Sequence, residues 1–173
     1  EPEMISPDSD LFRSHPDWAL HIPGRPNSPS RWQYVLDMSR KDVEDYIFER
    51  LYGILSSAQI EYVKWDFNRN LSEVGSALLP PERQGEVEHR YMLGVYSLLE
   101  RVLGAFPDLL LEGCAGGGGR FDAGMLYYSP QFWTSDDTDA IERLTIQAGT
   151  SYCYPPSAMS AHVSVVPNHQ TGR

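Results

Sequence analysis

Short apolar runs alternate along this chain with longer segments whose apolar residues recur at helical spacing, and this alternation restricts the possible folds most. Residues 32–38 form a β-type run. Ser39 follows as a helix cap, and Val43, Ile47, Leu51 and Leu55 then recur over a helix of about fifteen residues. The same grammar continues with a strand at 60–67, a helix at 85–103, a strand at 108–113 and a fourth strand at 131–135. A capped helix at 136–147 and one more short strand at 152–154 complete it. Ahead of Trp32, Pro2, Pro7, Pro16, Pro23, Pro26 and Pro29 mark loop, with one helical turn at 10–15. Strands separated by helices predict βαβ units, a parallel sheet and an α/β fold. Periodicity does not decide whether such a sheet closes into a barrel, but long polar loops after the strands favour a barrel's functional face.

With 41% hydrophobic residues in 173, the chain has enough apolar material for a core, which excludes intrinsic disorder. The net charge of −10 argues against a nucleic-acid partner, whose footprint would be a basic stripe. No apolar run reaches the roughly 18 residues of a membrane span. Cys114 and Cys153 are too few for a disulfide framework and fit free thiols. The first residues, Glu1-Pro2-Glu3-Met4, show neither a signal peptide nor an initiator Met, so a processed chain or a piece of a longer one is expected.

Three segments bear chemistry. In Tyr62-Val63-Lys64-Trp65-Asp66-Phe67-Asn68-Arg69, strand alternation puts Lys64, Asp66 and Asn68 on one face and Val63, Trp65 and Phe67 on the other. A solvent-facing antiparallel edge would give the same pattern. In a parallel sheet, covered on both faces, a Lys-Asp pair is costly unless it has a task. Lys64 beside Asp66 is expected to keep that carboxylate ionised.

The second segment is Phe132-Trp133-Thr134-Ser135-Asp136-Asp137-Thr138-Asp139. Its three acids suit a first helical turn, where Ser135 or Asp136 could cap the helix. Together with Asp66, they also place carboxylates at the C-terminal ends of two separate strands. Glycoside hydrolysis needs such a pair, one acting as nucleophile and the other as proton donor and then base.

The third segment runs from Leu109 to Asp122 through Cys114 and four consecutive glycines. It lacks the spacing of a phosphate-binding loop. Either the missing side chains let the backbone approach a small polar ligand, or the loop is a flexible turn beside a buried structural Cys. The scattered histidines His15, His21, His89, His162 and His169 offer no zinc-binding spacing.

With these stretches in order, the chain resembles the family 36 glycoside hydrolases, the bacterial and fungal α-galactosidases. The resemblance rests on Glu1-Pro2-Glu3-Met4, Leu36-Asp37-Met38-Ser39-Arg40, Lys64-Trp65-Asp66-Phe67-Asn68-Arg69 and Cys114 with its glycines through Asp122. Trp133-Thr134-Ser135-Asp136-Asp137-Thr138-Asp139 and two stretches near the end, Ser160 to Val163 and Pro167 to Gln170, complete the set.

The resemblance implies a (β/α)8 catalytic barrel and a retaining double displacement that uses no metal or organic cofactor. Asp66 would be the nucleophile and Asp136 the acid/base. Lys64 and Asn68 would contact galactosyl hydroxyls, with Trp65 and Phe67 supporting their strand in the substrate site. Cys114 and Gly116 or Gly117 would line the sugar pocket, and Trp133 would wall it. Arg31 is a further substrate contact, although its neighbours Ser30 and Trp32 depart from the family pattern.

The expected partner is a terminal α-galactoside such as melibiose, a raffinose-type oligosaccharide or a galactomannan side chain, with no nucleic acid and no membrane. A homo-oligomer in the full-length enzyme and a cytoplasmic location are expected. An α-N-acetylgalactosaminidase, a galactosyl transglycosylase or an inactive sugar-binding fragment are the alternatives, and Cys114 with its glycines suggests a sugar bearing a 2-hydroxyl. About five strands fall within the chain, whereas a barrel has eight in roughly 250 residues. Residues 1–173 therefore read as a partial barrel, part of one catalytic domain whose flanking β-sandwich domains lie outside the chain.

Overall fold

A computed structural model describes residues 1–162 and 164–172 and divides into two compact units. The second unit, Glu61–Asn68 with Leu109–Arg173, is built on strands that pair only in parallel. After β1 (Met4–Ile5) and β2 (Tyr34–Val35) of the first unit come β3 (Tyr62–Asp66), β4 (Leu110–Cys114), β5 (Gln131–Trp133) and β6 (Met159–Ser160). These last four form one sheet in the order β3-β4-β5-β6. Its register sets Lys64 opposite Glu112, Asp66 opposite Cys114, Glu112 opposite Gln131 and Trp133 opposite Ser160.

Paired parallel residues share a face, so the sheet sorts its side chains. One face collects Val63, Trp65, Leu111 and Phe132, whereas the other carries Lys64, Asp66, Glu112, Cys114 and Gln131. On the apolar face Phe132 stacks on Phe121 with 4.8 Å between ring centroids, and Phe121 stacks on Tyr154 at 4.2 Å. Gly113 makes room for this: a Cβ there would lie 2.2 Å from the Phe132 ring.

The first unit, Glu1–Ile60 with Arg69–Asp108, contains α1 (Asp10–Ser14), α2 (Lys41–Ser56) and α3 (Val87–Ala105). Helix α2 packs against α3. Val43 and Ile47 are buried on α2, and Tyr91, Val95, Leu98, Leu99 and Val102 on α3. Buried carboxylates here are partnered. Tyr91 donates to Glu3 at 2.9 Å, and Arg101 and Ser97 donate to Glu44 at 2.5 and 3.0 Å.

The structure corrects several expected elements. The run at 32–38 shortens to β2, which pairs antiparallel with β1, because Arg31 and Trp32 take φ of 52° and 61° in a two-residue turn closed between Ser30 and Gln33. Ser39 does not cap α2. Its N–H and hydroxyl donate to Asp37 at 3.0 and 2.5 Å, and the N-cap residue is Arg40, with no side-chain cap. The strand expected at 152–154 is the frayed end of α5 (Ala140–Ser151), where the N–H groups of Tyr152, Cys153 and Tyr154 turn back to carbonyls of the last helical turn. The strand that pairs beside β5 is β6. The short α4 (Ala123–Tyr128), capped by Asp122, had no counterpart in the sequence pattern. Four parallel strands are therefore described in place of the expected five.

The Gly113→Ala substitution should cost about 1–3 kcal/mol by overpacking against Phe132. Denaturant midpoints of the two proteins measure this, and equal midpoints would contradict so close an approach.

Candidate active site

The C-terminal end of the parallel sheet gathers most of the residues singled out in the sequence. Asp66 is the last residue of β3 and half-buried. Its Oδ1 accepts the Phe67 N–H at 3.0 Å, and its Oδ2 accepts the Asn68 amide. The Asn68 carbonyl in turn accepts the Gly116 N–H at 2.7 Å. Asp66 is thus held through Asn68 to the glycine loop that follows β4.

That loop packs on the second segment. Gly117 has φ +89°, and a Cβ there would sit 2.7 Å from the Ser135 Cα and 3.2 Å from the Asp136 nitrogen. The close approach at Gly117 is therefore to the chain beside Asp136. At Gly116, φ +57°, the nearest atom to an added Cβ is the Asn68 Oδ1 at 3.9 Å. Cys114 ends β4 and is buried. Burial pushes its thiol up to about 11; the Gly117 N–H opposes the rise, and the Asp66 carboxylate adds to it.

In the acidic turn each carboxylate has its own task. Asp139 is the cap of α5, accepting the N–H groups of Ile141 and Glu142 at 2.8 and 3.2 Å. Asp137 accepts the Asp139 N–H at 2.9 Å, and the Ser135 hydroxyl accepts the Asp137 N–H at 3.1 Å. Ser135 and Asp136, the expected caps, do not cap the helix. Asp136 is exposed and its Oδ1 accepts the Trp133 indole N–H at 2.9 Å.

Trp133 itself is buried at the centre of the group. The Lys64 ammonium lies 4.7 Å and the Arg143 guanidinium 4.6 Å from its ring, and His162 stacks on it at 4.6 Å. Arg143, buried on α5, also donates to the carbonyls of Ser135 at 2.9 Å and Ser160 at 3.2 Å. Gln170 straps the same turn, donating to the Asp136 carbonyl at 3.0 Å and accepting the Thr138 N–H at 2.9 Å.

One other expectation changes. The ion pair of Lys64 is with Glu112, at 3.3 Å, where Asp66 was the expected partner. Arg31 belongs to the first unit, where its guanidinium pairs with Glu1. Trp65 and Phe67 are 3% and 6% exposed on the face opposite Asp66, so they support the strand from behind; Arg120 covers the Phe67 ring at 4.1 Å.

Sequence reasoning passed over Glu112, Arg143, His162 and Gln170. Glu112 had a signal, since it sits two residues before Cys114 and so shares its face. Burial raises the Glu112 carboxyl above the ordinary range. The Ser160 hydroxyl opposes this without reaching hydrogen-bonding geometry. Among the described residues, no cluster of His, Cys, Asp and Glu is arranged to hold a metal ion, and no helix is long and apolar enough to cross a membrane.

A parallel α/β sheet with two carboxylate-bearing segments at the C-terminal ends of its strands matches known enzymes over its whole length. Residues 1–173 match the family profile described as Melibiase, and the chain belongs to that family. It is 63% identical over all 173 residues to Alpha-galactosidase AgaA of Geobacillus stearothermophilus and 62% identical to Alpha-galactosidase 1 of Pediococcus pentosaceus. It covers 24% of each, so the chain spans about a quarter of the length of these relatives. The crystal structure of the Geobacillus GH36 enzyme superposes on the whole chain with a TM-score of 0.97, covering 24% of that chain. A variant of that enzyme in complex with raffinose, 62% identical and covered to the same extent, gives the same score.

At pH 8, iodoacetamide should alkylate the exposed Cys153 and spare Cys114, which is buried and neutral well below about 11. Peptide mass mapping before and after unfolding checks this; rapid native labelling of Cys114 would contradict it.

Proposed function

We propose that this chain is the central section of the (β/α)8 catalytic domain of a retaining α-galactosidase acting on terminal α-galactosyl residues of raffinose-type oligosaccharides. The observation that carries the reading is the continuous link from Asp66 through Asn68 and the glycine loop to the backbone of Asp136. It ties both carboxylates into one support at the C-terminal ends of parallel strands. The 63% identity to a named α-galactosidase and the raffinose complex of its variant supply the substrate class.

On this reading Asp66, ionised and held by Asn68 and the Phe67 N–H, attacks the anomeric carbon. Asp136 gives its proton to the departing glycosidic oxygen, which leaves as an alcohol. A covalent β-galactosyl ester forms on Asp66. Asp136, now a carboxylate, takes a proton from water as that water attacks the same carbon, releasing α-galactose and restoring Asp66. Exposure of Asp136 suits a group that exchanges protons with leaving group and water, while the hydrogen bonds from the Phe67 N–H and the Asn68 amide to half-buried Asp66 suit a fixed nucleophile. Lys64 and Asn68 would hold the sugar's hydroxyls beside Asp66, and Cys114, Gly116 and Trp133 would shape the surrounding pocket.

In the full-length enzyme carrying this chain, Asp66→Gly should lower turnover of an aryl α-galactoside by at least about a thousandfold. Azide should then yield β-galactosyl azide. Asp136→Ala with azide should instead yield α-galactosyl azide, because the covalent step on Asp66 survives. Anomeric configuration of the products by NMR distinguishes the two roles; the reverse pattern, or undiminished activity in Asp66→Gly, would refute the assignment.

A further inference from the structure

Glu112 stands in the middle of β4, one row beneath the pair Asp66 and Cys114, and directly opposite Lys64. The residue is 5% exposed. Three donors from the two neighbouring strands converge on it. Its Oε1 faces the Lys64 ammonium at 3.3 Å, and its Oε2 accepts the Tyr62 hydroxyl and the Gln131 amide, the latter at 3.3 Å. A buried acid in mid-sheet costs stability, and a well-packed apolar side chain in its place is commonly neutral or better. Its presence therefore calls for a role in what it holds.

What it holds is mobile by nature. Lysine carries its charge on a flexible four-carbon stem and has three donors to direct. Here the ammonium is taken by Glu112 on one side and by the Trp133 ring, 4.7 Å away, on another. The same Trp133 donates its indole N–H to Asp136. The half-exposed Lys64 thus has its stem and charge fixed on the row next to Asp66, with donor capacity left for a hydroxyl-bearing ligand.

We infer that Glu112 is a positioning residue for the glycosidase reaction: from beneath the site it anchors the Lys64 ammonium so that its remaining hydrogens meet the sugar hydroxyls beside Asp66. This rests on the function proposed above. The carboxylate touches no reacting atom and acts only through Lys64. The groups facing it are Tyr62 and Lys64 from β3, Gln131 from β5 and Ser160 from β6. Loss of its negative charge frees Lys64 toward Asp66 and removes a like charge nearby, both of which favour the ionised nucleophile.

The test compares Glu112→Gln, Lys64→Met and the double variant in the full-length enzyme, with Asp66→Asn alongside. Glu112→Gln should lower kcat/KM for raffinose by about 10- to 100-fold. The double variant should be no worse than the weaker single one, and the acid limb of the kcat/KM profile should move to lower pH. A purely structural role would lower the melting temperature, leave that limb in place and make the two losses multiply. Wild-type kinetics in a folded Glu112→Gln, or multiplicative losses, would overturn the inference. Should Glu112→Gln fail to fold, Tyr62→Phe removes one of the carboxylate's donors at a ring that is 45% exposed. It should show the same signs at smaller size, and wild-type kinetics there would equally overturn the inference. If Asp66→Asn keeps its turnover, the function itself is wrong; if only the Glu112 and Tyr62 variants behave as wild type, the function stands and the positioning role falls.

Discussion

Parallel strands paired in register stack like-facing side chains into rows, and a slip of one residue would turn every row inside out. In this sheet the register sets Lys64 against Glu112 and Asp66 against Cys114. The charged side chains share one face, and Trp65 and Phe132 the other. Everything distinctive about the site follows from that pairing. Lys64 meets a carboxylate deep in the sheet, Cys114 ends beside Asp66, and Trp133, one strand further on, becomes the surface on which Lys64, Arg143 and His162 converge. Gly113 is part of the same constraint, because the Phe132 ring occupies the volume a side chain would need.

The acidic turn after β5 shows how one cluster of like charges serves two ends. Asp139 satisfies the first N–H groups of α5, where a negative charge also complements the helix dipole. Asp137 and Ser135 close the turn that leads to it. With capping assigned to these neighbours, Asp136 projects from a fixed backbone, tied by Arg143 and Gln170 through main-chain carbonyls. Capping and chemistry need not compete for the same residue. Like charges crowded into one turn are tolerable because each has its own donors.

The first unit follows the same rule with a different outcome. Glu3, Asp37 and Glu44 are buried there. Tyr91 serves Glu3, Ser39 and Ser76 serve Asp37, and Arg101 with Ser97 serves Glu44. Glu3 and Asp37 lie in stretches that carry the family resemblance, and Tyr91 and Ser76 reach them from outside those stretches. Paired burial of this kind stabilises a particular arrangement of α2, α3 and the segment ahead of them. Removing one partner would leave a buried charge uncompensated.

Much of the site was legible in the chain alone, since local chemistry determines period and parity. The spacing of Val43, Ile47, Leu51 and Leu55 specified α2, and the alternation from Val63 to Asn68 separated the charged face of β3 from its apolar one. The motifs that carry the resemblance named Asp66 and Asp136, and the family match agrees with that resemblance. Other features depended on partners far away in sequence. Tyr152, Cys153 and Tyr154 have strand-like side chains, but their N–H groups were already taken by the end of α5, and the strand formed at Met159–Ser160 instead. Whether Lys64 would answer to Asp66, two residues away, or to Glu112, on another strand, could not be read from spacing. Residues i and i+2 of one strand share a face, but the residue opposite on a paired strand lies nearer. Sequence by itself determined which residues bear charge and which face each would take. Tertiary pairing decided which charges meet, because that depends on register between strands separated by whole helices.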